Sequence, residues 1–147
     1  MSYTAKLLIR DVVCVDPGQK VIEIARIMAE KNIGSVIVGD TQKPLGILTE
    51  RDLSRRVLAR GLDAGETKVS EVMTKKLIPV ESTETLDKVF QTLAGAAFRH
   101  LPITDEGSIV GIVSLTDLSK VLEEVYREDK YLQYFAEFMQ GKKPIAA

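Results

Sequence analysis

Residues Val13 to Val57 lie on Ile78 to Leu122 without a gap, so the chain repeats itself at an offset of 65 positions. Val15 falls on Val80, Ala29 on Ala94, Asp40 on Asp105, and Gly46-Ile47 on Gly111-Ile112. Asp52-Leu53-Ser54 falls on Asp117-Leu118-Ser119, and the apolar residues Val21, Ile24, Met28, Val36 and Val38 fall on Leu86, Val89, Leu93, Leu101 and Ile103. Self-similarity at a fixed period makes the repeat the structural unit, each copy covering an apolar face that the other exposes. The repeat therefore sets the fold, and the seam between copies is where a ligand is expected.

One copy reads as strand, helix, strand, turn, strand, helix. Val12-Val13-Cys14-Val15 is a short β-branched run stopped by Asp16-Pro17-Gly18, with Asp16 as the expected N-cap and Pro17 as the first helical residue. Val21, Ile24, Ala25 and Met28 recur at helical spacing, while Glu23, Arg26 and Glu30 fall elsewhere on the wheel. Asn32 and Gly34 end that helix. Ser35 to Val38 is the second strand, Gly39 to Pro44 a turn, Leu45 to Leu48 the third strand, and Glu50 to about Leu58 a second helix.

The second copy repeats the order: a strand at Leu77 to Val80, a helix near Glu84 to Leu93, and a strand at Leu101 to Thr104. A turn at Asp105 to Ser108, a strand over Ile109 to Val113 and a helix from Leu115 to about Tyr126 complete it. Short strands mixed with helices give an α/β (α+β) class, with a small sheet and two main helices per copy packed about a pseudo-two-fold axis. The expected boundaries are 7–60 for the first repeat, 61–68 for a linker, 69–125 for the second repeat and 126–147 for a helical tail.

Composition narrows the function. Twenty basic residues oppose twenty-one acidic ones, for a net charge of −1, which argues against duplex nucleic acid as the main partner. No apolar stretch reaches the ~18 residues of a membrane span, and the amino terminus has no signal-peptide core. The single cysteine, Cys14, allows no intrachain disulfide and sits in an apolar run that predicts a buried, inert thiol. A cytoplasmic location is expected. One histidine and no clustered metal ligands leave little for hydrolysis, nucleophilic catalysis or zinc chemistry, so the expected class is not an enzyme.

Gly46-Ile47-Leu48-Thr49-Glu50-Arg51-Asp52 and Gly111-Ile112-Val113-Ser114-Leu115-Thr116-Asp117 share one pattern: glycine, two apolar residues, a hydroxyl, two variable residues, aspartate. Together with the segment Val69 to Thr74 and with Phe98-Arg99-His100-Leu101-Pro102-Ile103, these motifs resemble the CBS domain in tandem. The resemblance covers about residues 7 to 125. It implies a stand-alone regulatory pair whose clefts take adenosine-containing ligands: AMP, ADP, ATP or S-adenosylmethionine. In that family the aspartate takes the ribose hydroxyls and the neighbouring hydroxyl lies near phosphate.

Two readings of the motif stand side by side. A hydroxyl followed three residues later by a carboxylate caps a helix that starts there. The same helix terminus, beside a glycine-bearing strand end, also suits an anion, and a carboxylate can accept from both ribose hydroxyls. The copies diverge at one place: Arg99-His100 replaces Gly34-Ser35, supplying an arginine suited to bidentate phosphate contact. Ser114, Thr116 and Asp117 with Arg99 and His100 therefore form the preferred site, with adenine stacking expected near Val12, Val13 and Ile33. Thr49, Arg51 and Asp52, with Gly34 allowing close backbone approach, form the second. No covalent cofactor is expected; the ligand is an adenine nucleotide. An oligomerising adaptor without nucleotide sensing is the competing reading.

Beyond the repeats, Tyr126, Tyr131, Leu132, Tyr134, Phe135, Phe138 and Met139 concentrate aromatic and apolar residues in a chain with only 5% aromatics. Leu132, Phe135 and Met139 follow helical spacing. The expected element is an amphipathic helix that folds back on its own module or clasps a second copy in a homodimer. The effector protein is not identifiable from the sequence.

Overall fold

The computed structural model describes residues 3–95, 99–125, 137 and 139–141. Most of the aromatic tail, including Tyr126, Tyr131, Leu132, Tyr134, Phe135 and Phe138, lies outside them. The chain forms two compact units, neither of which is a continuous stretch. Unit 2 is Asp11–Ile78 with Glu106–Val110; unit 1 is Met1–Arg10, Pro79–Asp105 and Gly111–Ala147. Each unit combines most of one repeat with the short segment that precedes the other repeat in sequence; the turn and first strand residues Glu106–Val110 of the second repeat cluster with unit 2.

In unit 2, β1 (Cys14–Val15) runs parallel to β2 (Ser35–Gly39), which pairs antiparallel with β3 (Pro44–Thr49), in the order β1-β2-β3. Helix α1 (Val21–Lys31) buries Val21, Ile24 and Met28 and leaves Glu23, Arg26 and Glu30 exposed, the single stripe its spacing predicts. These side chains join Val15, Val36, Val38, Leu48, Val57, Val69 and Val72 in one apolar core. Asn32 closes α1 in the left-handed conformation (φ 53°, ψ 50°), which asparagine tolerates better than most residues.

The start of α1 corrects the expected Asp16 cap. Asp16 instead accepts from the Gln19 N–H at 3.2 Å in a turn, and the helix begins at Val21. Its first free N–H groups are satisfied from far along the chain, Val21 by the Thr67 carbonyl at 2.9 Å and Ile22 by that of Ala64 at 3.0 Å. Cys14 is also corrected, because the two-residue β1 turns Val15 inward and leaves Cys14 exposed. Partial desolvation and then the nearby Asp40 charge raise its thiol pKa above the usual value, so the thiol is held protonated.

The second helix of this repeat changes character along its length. α2 (Glu50–Asp52) opens into a π-helical segment, Leu53–Leu58, and Ala59 N–H then reaches back to Ser54 at 2.9 Å. The short α3 (Val69–Val72) follows, and its chain continues along β3: Ile47 and Thr74 exchange both backbone hydrogen bonds at 2.9 Å. Gly46 makes that approach possible, since a Cβ there would lie 2.6 Å from the Thr74 carbonyl oxygen.

Unit 1 repeats the design with a different lead-in. β4 (Val80–Glu81) runs parallel to β5 (His100–Asp105), and β6 (Ser108–Ser114) completes the order β4-β5-β6. Glu106 and Gly107, the two residues between β5 and β6, both take positive φ (49° and 82°), as a two-residue hairpin turn requires. Helix α4 (Leu86–Gly95) buries Leu86, Val89 and Leu93, and α5 (Leu115–Val125) buries Leu118, Ser119 and Leu122. The lead-in is a 3₁₀ turn, Ala5–Leu8, with Ala5 and Leu8 fully buried. Leu86 N–H donates to Tyr3 and Ala5 N–H to Glu84, as Val21 donates to Thr67 and Val69 to Gln19 in unit 2. A Cβ on Gly111 would lie 2.5 Å from the Leu8 carbonyl oxygen, the counterpart of Gly46 against Thr74. From the tail, Gln140 donates to Glu123 of α5 at 2.7 Å.

Candidate ligand site

Both hydroxyl–aspartate motifs sit where a strand turns into a helix, and in both the side chains close on the backbone. In unit 2, Thr49 N–H donates to Asp52 Oδ2 at 3.0 Å and Asp52 N–H to Thr49 Oγ1 at 3.2 Å, a reciprocal capping box. In unit 1, Ser114 N–H and Ser114 Oγ donate to Asp117 Oδ2 at 3.0 and 2.9 Å, and Asp117 N–H returns to Ser114 Oγ at 3.1 Å. One carboxylate oxygen of each aspartate is therefore committed to the helix start.

The other oxygen distinguishes them. Asp52 Oδ1 accepts a long 3.4 Å bond from the Thr74 hydroxyl and faces Arg56 Nε at 3.7 Å. Arg56 also donates to the Val72 and Met73 carbonyls at 3.0 and 3.1 Å, serving the free C-terminal acceptors of α3. The Asp52 side chain is only 12% exposed. Asp117 Oδ1 instead meets Arg10 of the lead-in at 3.7 Å, beyond hydrogen-bonding distance, and its side chain is 30% exposed.

The remaining predicted residues divide between the units. Unit 1 holds Arg99, exposed at the approach to β5, and His100, half-buried as its first residue. Thr116 is exposed in the first turn of α5, and its carbonyl accepts from Ser119 Oγ at 2.7 Å. Unit 2 holds Val12, Val13, Ile33, Gly34 and Arg51. Val13 and Ile33 pack against the unit 2 core, the Val13 carbonyl accepts from Ile37 N–H at 2.9 Å, and the Gly34 carbonyl accepts from Glu50 N–H at 3.0 Å. Val12 and Arg51 are half-buried. Arg10, Thr74 and Arg56 are the residues the sequence reading passed over. Only the last carried a signal, as the i+4 partner of Asp52.

Among the described residues no group of three or more His, Cys, Asp or Glu side chains could hold a metal ion, and no helix is long and apolar enough to cross a membrane. Two small three-stranded sheets with helices, each ending in a strand–hydroxyl–aspartate–helix junction, are the architecture of a tandem CBS pair. The chain belongs to the CBS domain family, whose model matches it twice, over residues 5–59 and 69–124. Pairs of this family are generally regulatory and ligand-binding.

The chain is 37% identical over 119 residues to the CBS domain-containing protein YhcV of Bacillus subtilis, covering 81% of this chain and 84% of that one. It is 36% identical over 114 residues to an uncharacterized protein, MK0525, of Methanopyrus kandleri, covering 76% of this chain and 58% of that longer one. Among solved structures, the CBS-domain protein NE2398 superposes with a TM-score of 0.76 at 33% identity, over 82% of this chain and 98% of that one.

Proposed function

We propose that this protein is a regulatory module that senses an adenine nucleotide through its second repeat, and that it is a binder, not a catalyst. The ribose hydroxyls donate to Asp117, the hydroxyls of Ser114 and Thr116 lie toward the phosphate, and Arg99 supplies positive charge with His100 beside it. The observation that carries this reading is the division of labour within Asp117. Oδ2 holds the helix start, while Oδ1 on a 30%-exposed side chain is met by a cation at 3.7 Å and remains able to accept a hydroxyl proton. The first turn of α5 adds free N–H groups and the positive end of its dipole. Binding alters the partner surface of the chain or of a homodimer, and an effector protein reads that change.

Asp52 is the weaker candidate, since both of its oxygens already serve the fold. Calorimetric titration with AMP, ADP, ATP and S-adenosylmethionine tests the proposal. Binding of a phosphorylated adenosine in the micromolar range supports it. Preference for S-adenosylmethionine would replace the ligand, and no binding at millimolar concentrations would leave an oligomerising adaptor as the function.

A further inference from the structure

Unit 2 takes the cation beside its motif aspartate from the same helix, as Arg56 four residues on. At the offset of 65 positions the corresponding residue of unit 1 is Val121, so α5 supplies no such charge. The cation has not vanished. Arg10 brings it from the amino-terminal lead-in to 3.7 Å from Asp117 Oδ1, whereas the lead-in residue that meets Asp52 Oδ1 is the neutral Thr74.

The two arginines are employed differently. Arg56 is tied by hydrogen bonds to the Val72 and Met73 carbonyls, so it braces the lead-in of its unit. For Arg10 no hydrogen bond is among the described contacts, and its side chain is 45% exposed. A cation held near a carboxylate, with its fork of donors unengaged and open to solvent, adds little to stability. It does change what the carboxylate can accept as a neighbour. A phosphate carries about two negative charges, and a bare aspartate beside it repels it.

We propose that Arg10 is the counter-ion that admits phosphorylated nucleosides to the Asp117 site, making it a specificity residue for charged over neutral ligands. The inference rests on the reading of Asp117 as the ribose acceptor. With Arg10 in place the Asp117 region is close to neutral before any phosphate arrives, so Arg99 adds to the attraction instead of merely offsetting Asp117. Without Arg10 the site still takes the nucleoside, because ribose recognition needs only the carboxylate.

The test is calorimetric titration of the full chain with adenosine and with AMP, for the wild type, Arg10→Met, Arg10→Gln, Arg10→Lys and Asp117→Asn. Both neutral Arg10 variants are expected to lose about tenfold in AMP affinity, the scale of one charge interaction at several ångströms in a partly aqueous site, with adenosine changed less than about twofold. Arg10→Lys, which keeps the charge, is expected to restore AMP affinity to within about threefold of wild type, a rescue that a purely structural role would not show. If AMP binds and is lost in Asp117→Asn while Arg10→Met and Arg10→Gln keep the wild-type ratio of AMP to adenosine affinity, the inference fails and the ribose reading survives. If the wild type binds neither ligand, the ribose reading falls and takes the inference with it.

Discussion

The Asp52 and Asp117 junctions carry the same capping box and differ in what meets the second carboxylate oxygen. At Asp52 a threonine and an arginine close on it, and that arginine is itself tied to the carbonyls ending α3. At Asp117 an arginine stands at the same 3.7 Å, but among the described contacts no hydroxyl from the lead-in joins it and no carbonyl holds it. Duplication copied the cap faithfully and left the oxygen opposite it free to diverge. The same motif is therefore enclosed on both carboxylate oxygens in one half of the chain and more open on one of them in the other. The helices diverge as well: α2 opens into a π-helical segment after Asp52, whereas α5 remains α-helical through Val125.

The largest effect expected from this comparison is on phosphate recognition. Removing Arg99, present only in the second repeat, should weaken AMP by about 1.5–3 kcal/mol, the range for hydrogen bonds to charged groups, and leave adenosine nearly unchanged. Equal losses for AMP and adenosine would move Arg99 out of the phosphate site. Next come the glycines that the two junctions share. Gly46→Ala and Gly111→Ala each drive a Cβ to 2.6 or 2.5 Å from a lead-in carbonyl oxygen, so each should lower stability by about 1–3 kcal/mol in denaturant unfolding. A loss at only one of them would show that the lead-ins are not seated alike.

The aspartates should then separate by stability before any ligand is added. Asp117→Ala removes a cap and should cost about 0.5–2 kcal/mol. Each variant loses an arginine neighbour at 3.7 Å, but Asp52→Ala also strands the Thr74 hydroxyl at a more buried carboxylate, so it should cost more by about 0.5–1 kcal/mol. Matching unfolding midpoints for the two variants would erase the distinction between brace and site. The smallest effect concerns Cys14. Burial and Asp40 raise its pKa, so its thiolate fraction near pH 8 lies below that of a free thiol, and iodoacetamide should alkylate it more slowly than free cysteine despite its exposure. Faster modification than the free thiol would contradict the direction of that shift.

Much of this architecture is written in local pattern. The helical spacing of Val21, Ile24 and Met28, the turn residues Glu106-Gly107 and the hydroxyl–aspartate pairs are short-range signals, and each corresponds to an element of the structure. What the sequence hid is long-range. The carbonyls of Thr67 and Ala64 set where α1 begins, so Asp16, a good cap by composition, never serves as one. Which lead-in seats against which repeat has no periodic signature, because residues 3–8 and 67–74 are held largely through backbone N–H and C=O groups that almost every residue carries. Arg10 was invisible because it reaches Asp117 only through that seating. Cys14 was misplaced because a run of four apolar residues does not reveal which two of them form the strand.

The central claim is that one aspartate of the pair binds ribose and the other braces the fold. Titration of AMP into the wild type, Asp52→Asn and Asp117→Asn tests it most directly, since asparagine can keep each cap while removing the charge. One AMP per chain is expected in the wild type, with little change in Asp52→Asn and an affinity loss of at least about thirtyfold in Asp117→Asn. Two equivalent sites per chain, or equal losses in the two variants, would contradict it.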